Sequence, residues 1–223
     1  MRKVAPAPDY APDPDTRIEI VHEDDELIVA DKPAGLLSVP GRGESRQVSV
    51  VTLLQASYGP LRTVHRLDMD TSGLMLFART AQAQSALSTA FSSGLVRKRY
   101  TAWVEGEPDG DRGDIHLPIG RDWEERPMRK IDTQSGKPST TRWRKLSVRS
   151  GYTELDLEPL TGRTHQLRLH CAAMGHPILG DRLYGNPATA ARLCLHASKL
   201  AFTHPVTGEP LQLRRPAMFG DAQ

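Results

Sequence analysis

Val64-His65-Arg66-Leu67-Asp68-Met69-Asp70-Thr71-Ser72-Gly73 gathers an imidazole, a guanidinium, two carboxylates and two hydroxyls just ahead of the apolar run Leu74-Met75-Leu76-Phe77-Ala78. A packed core has no use for that mixture, and a carboxylate drawn out of water beside an arginine is costly unless the two are paired. The composition points to a carboxylate held ionised and aimed, which is how a site stabilises developing positive charge or moves a proton. Asp, Thr, Ser and Gly are equally at home in turns and helix caps, so the decapeptide alone also admits a plain turn. A glycoside-processing site would need a second carboxylate opposite Asp68 as its acid or base. Asp70 stands too close in sequence to be assigned that place, and 5% aromatic residues suggest no aromatic-rich sugar cleft.

Arg66-Leu67-Asp68-x-x-Thr71-Ser72-Gly73, after His65, resembles the central motif of the RluA-type pseudouridine synthases, whose Asp is catalytic. Four more segments resemble that family in the same order and with similar spacing. They are Asp31-Lys32-Pro33-Ala34-Gly35-Leu36-Leu37-Ser38-Val39-Pro40, Lys98-Arg99-Tyr100-Thr101-Ala102, the run from Leu160 to His170, and the run from Gly175 to Gly185. The likeness extends from about Ile18 to Pro216. It implies an isomerase that detaches the uracil of a uridine in RNA, turns it and rejoins it through carbon five, with no metal or other cofactor.

The resemblance also implies roles for individual residues. Asp68 is the carboxylate beside the ribose anomeric carbon, either adding to the sugar or removing its 2′ proton; the sequence leaves both routes open. Tyr100 lies against the target uracil, where the plain alternative is a half-buried strand aromatic. Arg168 holds Asp68 through a bidentate fork, where the plain alternative is a helix-surface arginine. Arg66 holds the vacancy left when the uridine is flipped out of its stack, where the plain alternative is a salt-bridge partner within the loop, and His65 is placed with it among the substrate-binding residues. Arg163, in Thr161-Gly162-Arg163-Thr164, is a phosphate contact or part of a well-capped helix start. Lys32 and Pro33 shape the end of a strand, with a phosphate contact as the alternative for Lys32. The runs Leu36 to Gly41 and Asp122 to Pro127 are similar to the dual-specificity branch of the family, which modifies a 23S rRNA stem-loop and the anticodon loop of certain tRNAs. A tRNA-restricted or rRNA-restricted enzyme is the alternative. An RNA-binding module without activity is disfavoured because Asp68, Tyr100 and Arg168 are all present.

Around these residues the sequence predicts a mixed α+β domain dominated by antiparallel sheet, with flanking helices and loops. Residues 1–16 read as a disordered Pro-rich tail and residues 17–223 as one catalytic domain. Ile18–Val21 and Leu27–Ala30 form a hairpin across the acidic turn Glu23-Asp24-Asp25-Glu26. Leu74–Ala78 is a strand that delivers the Asp68 loop, a common place for chemistry. Further strands are expected at Tyr100–Val104, Trp143–Val148, Tyr152–Leu157, Leu193–Phe202 and Leu211–Leu213. Helices are expected at Val48–Ser57, at Ala81–Ser93 behind a Thr80 cap, and at Thr164–Met174 before Gly175. Asp122–Lys137 follows neither periodicity and reads as an exposed insertion.

The chain of 223 residues carries 38% hydrophobic and 25% charged residues, ordinary for a soluble globular protein. No apolar run approaches the roughly 20 residues of a membrane helix, and Met1-Arg2-Lys3 leads into Pro, Ala and Asp rather than an apolar signal core. A cytoplasmic monomer is expected. Cys171 and Cys194 read as core thiols, and the eight His contain no zinc-binding spacing. The net charge of +2 divides into −5 over residues 1–32 and +7 over the remainder, which suits a polyanionic partner. Residues 121–149 alone carry net +5. Arg126, Arg129 and Lys130 in that stretch are the candidate grip on an RNA stem, read by shape and by splayed loop bases.

Overall fold

The computed structural model describes residues 10–13 and 15–220. Most of the expected disordered tail therefore lies outside the described residues. Tyr10, which falls within it, is tied down: its hydroxyl donates to the Val48 carbonyl at 2.8 Å and accepts from the Leu37 amide at 3.0 Å. Within residues 17–223 the chain forms two compact units. Among the described residues one comprises those from Arg17 to Lys98 together with His196–Ala217, and the other Arg99–Leu195 with Met218, Phe219 and Gly220. The fold class is α+β, as the sequence predicts.

The first unit is built on a sheet in the order β1 (Glu19–Glu23), β2 (Leu27–Lys32), β4 (Ser72–Ala78) and β11 (Leu195–Thr203), with β12 (Pro210–Arg214) on β11 and β3 (Arg62–Thr63) on β4. The turn between β1 and β2 closes because the Asp24 carboxylate accepts the amides of Glu26 and Leu27 at 2.8 and 2.9 Å. Strand β4 runs antiparallel to β2 and parallel to β11, and all seven of its residues are buried. A strand buried on both faces reads as a continuous apolar run rather than an alternation, which is why Leu74–Ala78 lacks a polar face. Leu27, Val29, Leu74, Leu76 and Ala78 pack with Ala83 and Leu87 of α2 (Ala81–Ser92) and with Leu200 and Phe202 of β11. Thr80 caps α2 as expected, its hydroxyl accepting the Ala83 amide at 3.1 Å. Helix α1 (Val50–Tyr58) starts two residues later than predicted because Ser49 and Thr52 form a reciprocal capping box.

In the second unit, β5 (Arg97–Glu105), β10 (Tyr152–Pro159), β9 (Thr140–Arg149) and β6 (Arg112–His116) pair antiparallel in that order. Asp122–Lys137 is not the wholly irregular insertion its composition suggests. It contains β8 (Arg129–Ile131), which pairs with β7 (Ile119–Arg121) in a two-stranded ribbon. Such short pieces carry too few residues to display a period. Helix α3 (Gln166–Ala173) is shorter than expected at its start and has no side-chain cap. The buried Gln166 amide replaces one, its oxygen accepting from Arg163 N–H and Thr161 Oγ1 while its nitrogen donates to the Thr140 carbonyl and Thr141 Oγ1. Both cysteines are buried, and burial pushes their thiols up to about 12 for Cys171 and about 11 for Cys194. Among the described residues no helix is long and apolar enough to cross a membrane.

Candidate active site

The loop bearing Asp68 is fastened through its backbone on both sides of that residue. Upstream, Ser38 Oγ donates to the Leu67 carbonyl at 2.7 Å and accepts the Leu67 amide at 3.1 Å. Downstream, Lys32 reaches from the end of β2 with no exposed surface, and its ammonium donates to the carbonyls of Pro33, Met69 and Thr71, each at 2.8 Å. The Met69 carbonyl also accepts the Gly35 amide at 2.9 Å, and Thr71 N–H closes a turn onto the Asp68 carbonyl at 3.1 Å. A buried ammonium is tolerable when its N–H groups find acceptors, and here the Met69 and Thr71 carbonyls belong to the loop that must be held. Lys32 therefore has the structural task expected of it, directed at the Asp68 loop more than at the strand. Beyond the loop, Gly73 has φ 111° and a Cβ there would stand 2.5 Å from Ala197 N and O, so only glycine lets β4 approach β11. The Asp68 side chain is half-buried and Arg66 is exposed.

His65 stands behind the Asp68 loop. Its Nε2 accepts the Leu76 amide at 2.9 Å, which puts the ring proton on Nδ1, and the ring stacks on Phe91 at 4.5 Å. Burial first, and then the charge of Lys98, hold its pKa down at about 3. The imidazole is neutral in the folded protein and braces the strand behind the loop.

In the second unit, Tyr100 pairs with Leu157 across β5 and β10, and Leu157 pairs in turn with Trp143. Tyr100 is thus a half-buried continuation of the face carrying the buried Ala102, Val104, Leu155 and Leu157. Arg168, on α3, is no surface arginine: it is 2% exposed, and its Nε and Nη2 fork onto the two carboxylate oxygens of fully buried Asp181 at 2.7 and 2.6 Å. Burial pushes the Asp181 carboxyl up, but the Arg168 fork and charge, with the amides of Leu183 and Tyr184, outweigh it and hold it below its ordinary value. Removing either partner of so buried a pair costs about 3–5 kcal/mol. Sequence assigned Asp181 no role. Its signals are its place in the family-like run from Gly175 to Gly185 and a carboxylate directly after Pro177-Ile178-Leu179-Gly180, and its depth cannot be read from a string.

The basic residues expected to hold RNA fall in the same unit. Arg126 and Lys130 are exposed and Arg129 half-buried, on or beside the β7–β8 ribbon. Arg126 lies 4.6 Å over the ring of Trp123, an indole 61% exposed, with Arg121 also within 5.3 Å of that ring. Arg163 is exposed, its Nε donating to the Pro138 carbonyl at 3.3 Å. Among the described residues no group of His, Cys, Asp and Glu could hold a metal ion. The structure thus gathers His65, Arg66 and Asp68 in one unit and Tyr100, Arg126, Arg129, Lys130, Arg163 and Arg168 in the other.

A family model described as RNA pseudouridylate synthase matches residues 26–173. The dual-specificity RNA pseudouridine synthase RluA of Pasteurella multocida is 45% identical over 214 residues, covering 94% of this chain and 98% of that protein. The protein of the same name from Escherichia coli K12 is 42% identical over the same coverage. Among solved structures, human RNA pseudouridylate synthase domain containing 1 superposes with a TM-score of 0.78 at 29% identity, over 90% of this chain and 84% of that one. Human RNA pseudouridylate synthase domain containing 4 does so with a TM-score of 0.70 at 26% identity, over 88% and 87%.

Proposed function

The chain belongs to the RNA pseudouridylate synthase family, and from that premise we propose that Asp68 is the carboxylate with which it isomerises uridine to pseudouridine in RNA. The reaction breaks the bond from C1′ to N1, turns the uracil, forms the bond from C1′ to C5 and releases the C5 proton. Substrate and product have the same composition, so the balance calls for no oxidant, reductant or co-substrate. Positive charge develops at C1′ as the first bond breaks, and an ionised carboxylate placed there stabilises it. The observation that carries the reading is the fastening of the Asp68 loop by Ser38 before it and Lys32 after it, since such catalysis depends on a group that does not reorganise.

Residues 17–223 act as one catalytic domain, a reading supported by the family match over residues 26–173. Tyr100 stacks against the uracil, and Arg168, stiffened by its fork on Asp181, is the arginine that the family resemblance assigns to the catalytic carboxylate. Arg66 is exposed beside Asp68 and takes the place of the flipped base. Arg126, Arg129, Lys130 and Arg163 neutralise phosphates of the stem. The substrates proposed, stem-loops of 23S rRNA and anticodon loops of tRNA, follow from the resemblance of the runs Leu36 to Gly41 and Asp122 to Pro127 to the dual-specificity branch; the name shared by the two bacterial relatives carries the words dual-specificity and RNA.

Tritium release from RNA labelled at uridine C5 tests the reading. Release from both bulk tRNA and 23S rRNA supports dual specificity, release from one of them narrows the substrate, and release from neither refutes the activity. Asp68→Asn keeps the side-chain shape and removes its charge; it is expected to bind RNA like the wild type and release no tritium, and release near the wild-type rate would remove Asp68 from its role.

A further inference from the structure

His165 stands at the head of α3 with φ 58° and ψ 17°, and among the described residues it is the sole non-glycine in the left-handed region. Such a conformation persists only where the surroundings over-determine it. Tyr184 is part of those surroundings: its hydroxyl lies 2.8 Å from His165 Nδ1 and its ring meets the imidazole edge-on at 5.7 Å. The same phenol oxygen accepts the backbone amide of Arg129 at 2.8 Å. Which of the hydroxyl and Nδ1 donates in their bond is set by the imidazole tautomer.

Tyr184 also touches the buried ion pair. Its amide donates to Asp181 Oδ1 at 3.1 Å, and the Arg168 guanidinium, forked on that carboxylate, lies 5.4 Å over its ring. One half-buried side chain therefore meets the basic ribbon, the strained head of α3 and Arg168. The ribbon has two strands of three residues each, too few to fix its own position, so its seat is set by what it leans on. At Arg129 it leans on the Tyr184 hydroxyl.

We propose that Tyr184 is a positioning residue that couples the grip of the β7–β8 ribbon on RNA to the placement of His165 and Arg168. The inference rests on the reading of Arg168 and of the basic ribbon given above. RNA phosphates drawn to Lys130 and its neighbours seat β8 against the phenol oxygen, and the phenol then holds His165 and the guanidinium over its ring in their working positions. A stem that fails to seat the ribbon leaves Arg168 less well placed, so binding energy gathered at a distance serves the chemical step.

Tyr184→Phe keeps the ring over Arg168 and removes the oxygen that joins Arg129 to His165. Affinity for a stem-loop RNA is expected to stay within about twofold, while the single-turnover rate at saturating enzyme falls roughly ten- to a hundredfold, as for a misplaced catalytic group. In the wild type, Lys130→Ala should lower both affinity and saturated rate; with Tyr184→Phe already present it should lower affinity alone. An unchanged rate in Tyr184→Phe overturns the proposal, as does a Lys130→Ala effect on rate that is equal in the two backgrounds. Parallel losses of rate, affinity and thermal midpoint would mark Tyr184 as merely structural and overturn it too. A readout independent of turnover keeps this test separate from the catalytic reading. In the Asp68→Asn protein, RNA should slow hydrogen exchange of the amides from Arg163 to Arg168, and adding Tyr184→Phe should abolish that protection; protection that persists overturns the coupling whatever Asp68 proves to do.

Discussion

Replacing Lys32 with Met removes the ammonium from beneath the Asp68 loop while keeping nearly the same length and volume. Three donors at 2.8 Å are lost at once, and the carbonyls of Pro33, Met69 and Thr71 lose their ammonium partner in a place from which Lys32 itself is fully shielded. Hydrogen bonds to a charged group contribute about 1.5–3 kcal/mol each. Part of that loss is offset because a buried charge no longer has to be stripped of water, an effective penalty of several kcal/mol. A net destabilisation of about 3 kcal/mol follows, which for a chain of this size lowers the thermal midpoint by about 6–12 °C. The effect on turnover should exceed the effect on folding at assay temperature. The Met69 and Thr71 carbonyls flank Asp68 in the chain, and a displacement of about 1 Å at a catalytic group costs on the order of a hundredfold in rate. Lys32→Arg should not rescue, because a planar guanidinium spreads its donors in a fixed fork and cannot direct three of them at carbonyls arranged around a point charge. The assay pairs thermal unfolding with single-turnover tritium release at a temperature where every variant is folded. A Lys32→Met protein that melts within 1 °C of the wild type, or that releases tritium at an undiminished rate, would refute the argument that this ammonium holds the loop.

Gly73→Ala places a methyl 2.5 Å from the Ala197 backbone at φ 111°, so it should destabilise the protein by about 3 kcal/mol in chemical unfolding; a neutral outcome would show that β4 and β11 can part at no cost. The His65 pKa sits below its ordinary value, so between about 3 and 6.5 the unfolded chain carries a proton the folded one lacks, and stability falls as pH falls through that window. Urea unfolding at pH 6.5 and 5 should show the wild type losing up to about 2 kcal/mol more than His65→Gln, whose amide oxygen still accepts the Leu76 N–H; equal losses would mean that His65 takes up a proton in the folded state. Reversing Arg129 and Lys130 together to Glu should weaken RNA binding and flatten the plot of log affinity against log salt by about 1.5–2. An unchanged slope would place the phosphate grip elsewhere.

The motif around Asp68 was legible because catalysis demands residue types that packing does not. A carboxylate, a guanidinium and hydroxyls crowded before the apolar strand Leu74–Ala78 announce a loop delivered by a rigid element, and β4 does deliver it. The cap at Thr80 and the strand content of Tyr152–Leu157 and Leu211–Leu213 were likewise local signals, carried by neighbours a few residues apart. The ribbon strands β7 and β8 were not, since three residues display no period and their pairing joins positions up to 12 apart.

What only the tertiary structure decided is who holds whom. Lys32 and Met69 are 37 residues apart, and Tyr184 and Arg129 are 55 apart. The sequence determined which groups were present, that Asp68 opens onto a strand, and that Arg168 rides a helix. It could not say that His65 would accept a backbone amide and remain neutral, that the Arg168 fork would close on Asp181, or that Lys32 would be fully shielded beneath three carbonyls. Those outcomes depend on desolvation and on donor geometry. Both are properties of the packed chain, set by long-range neighbours that no local window of sequence contains.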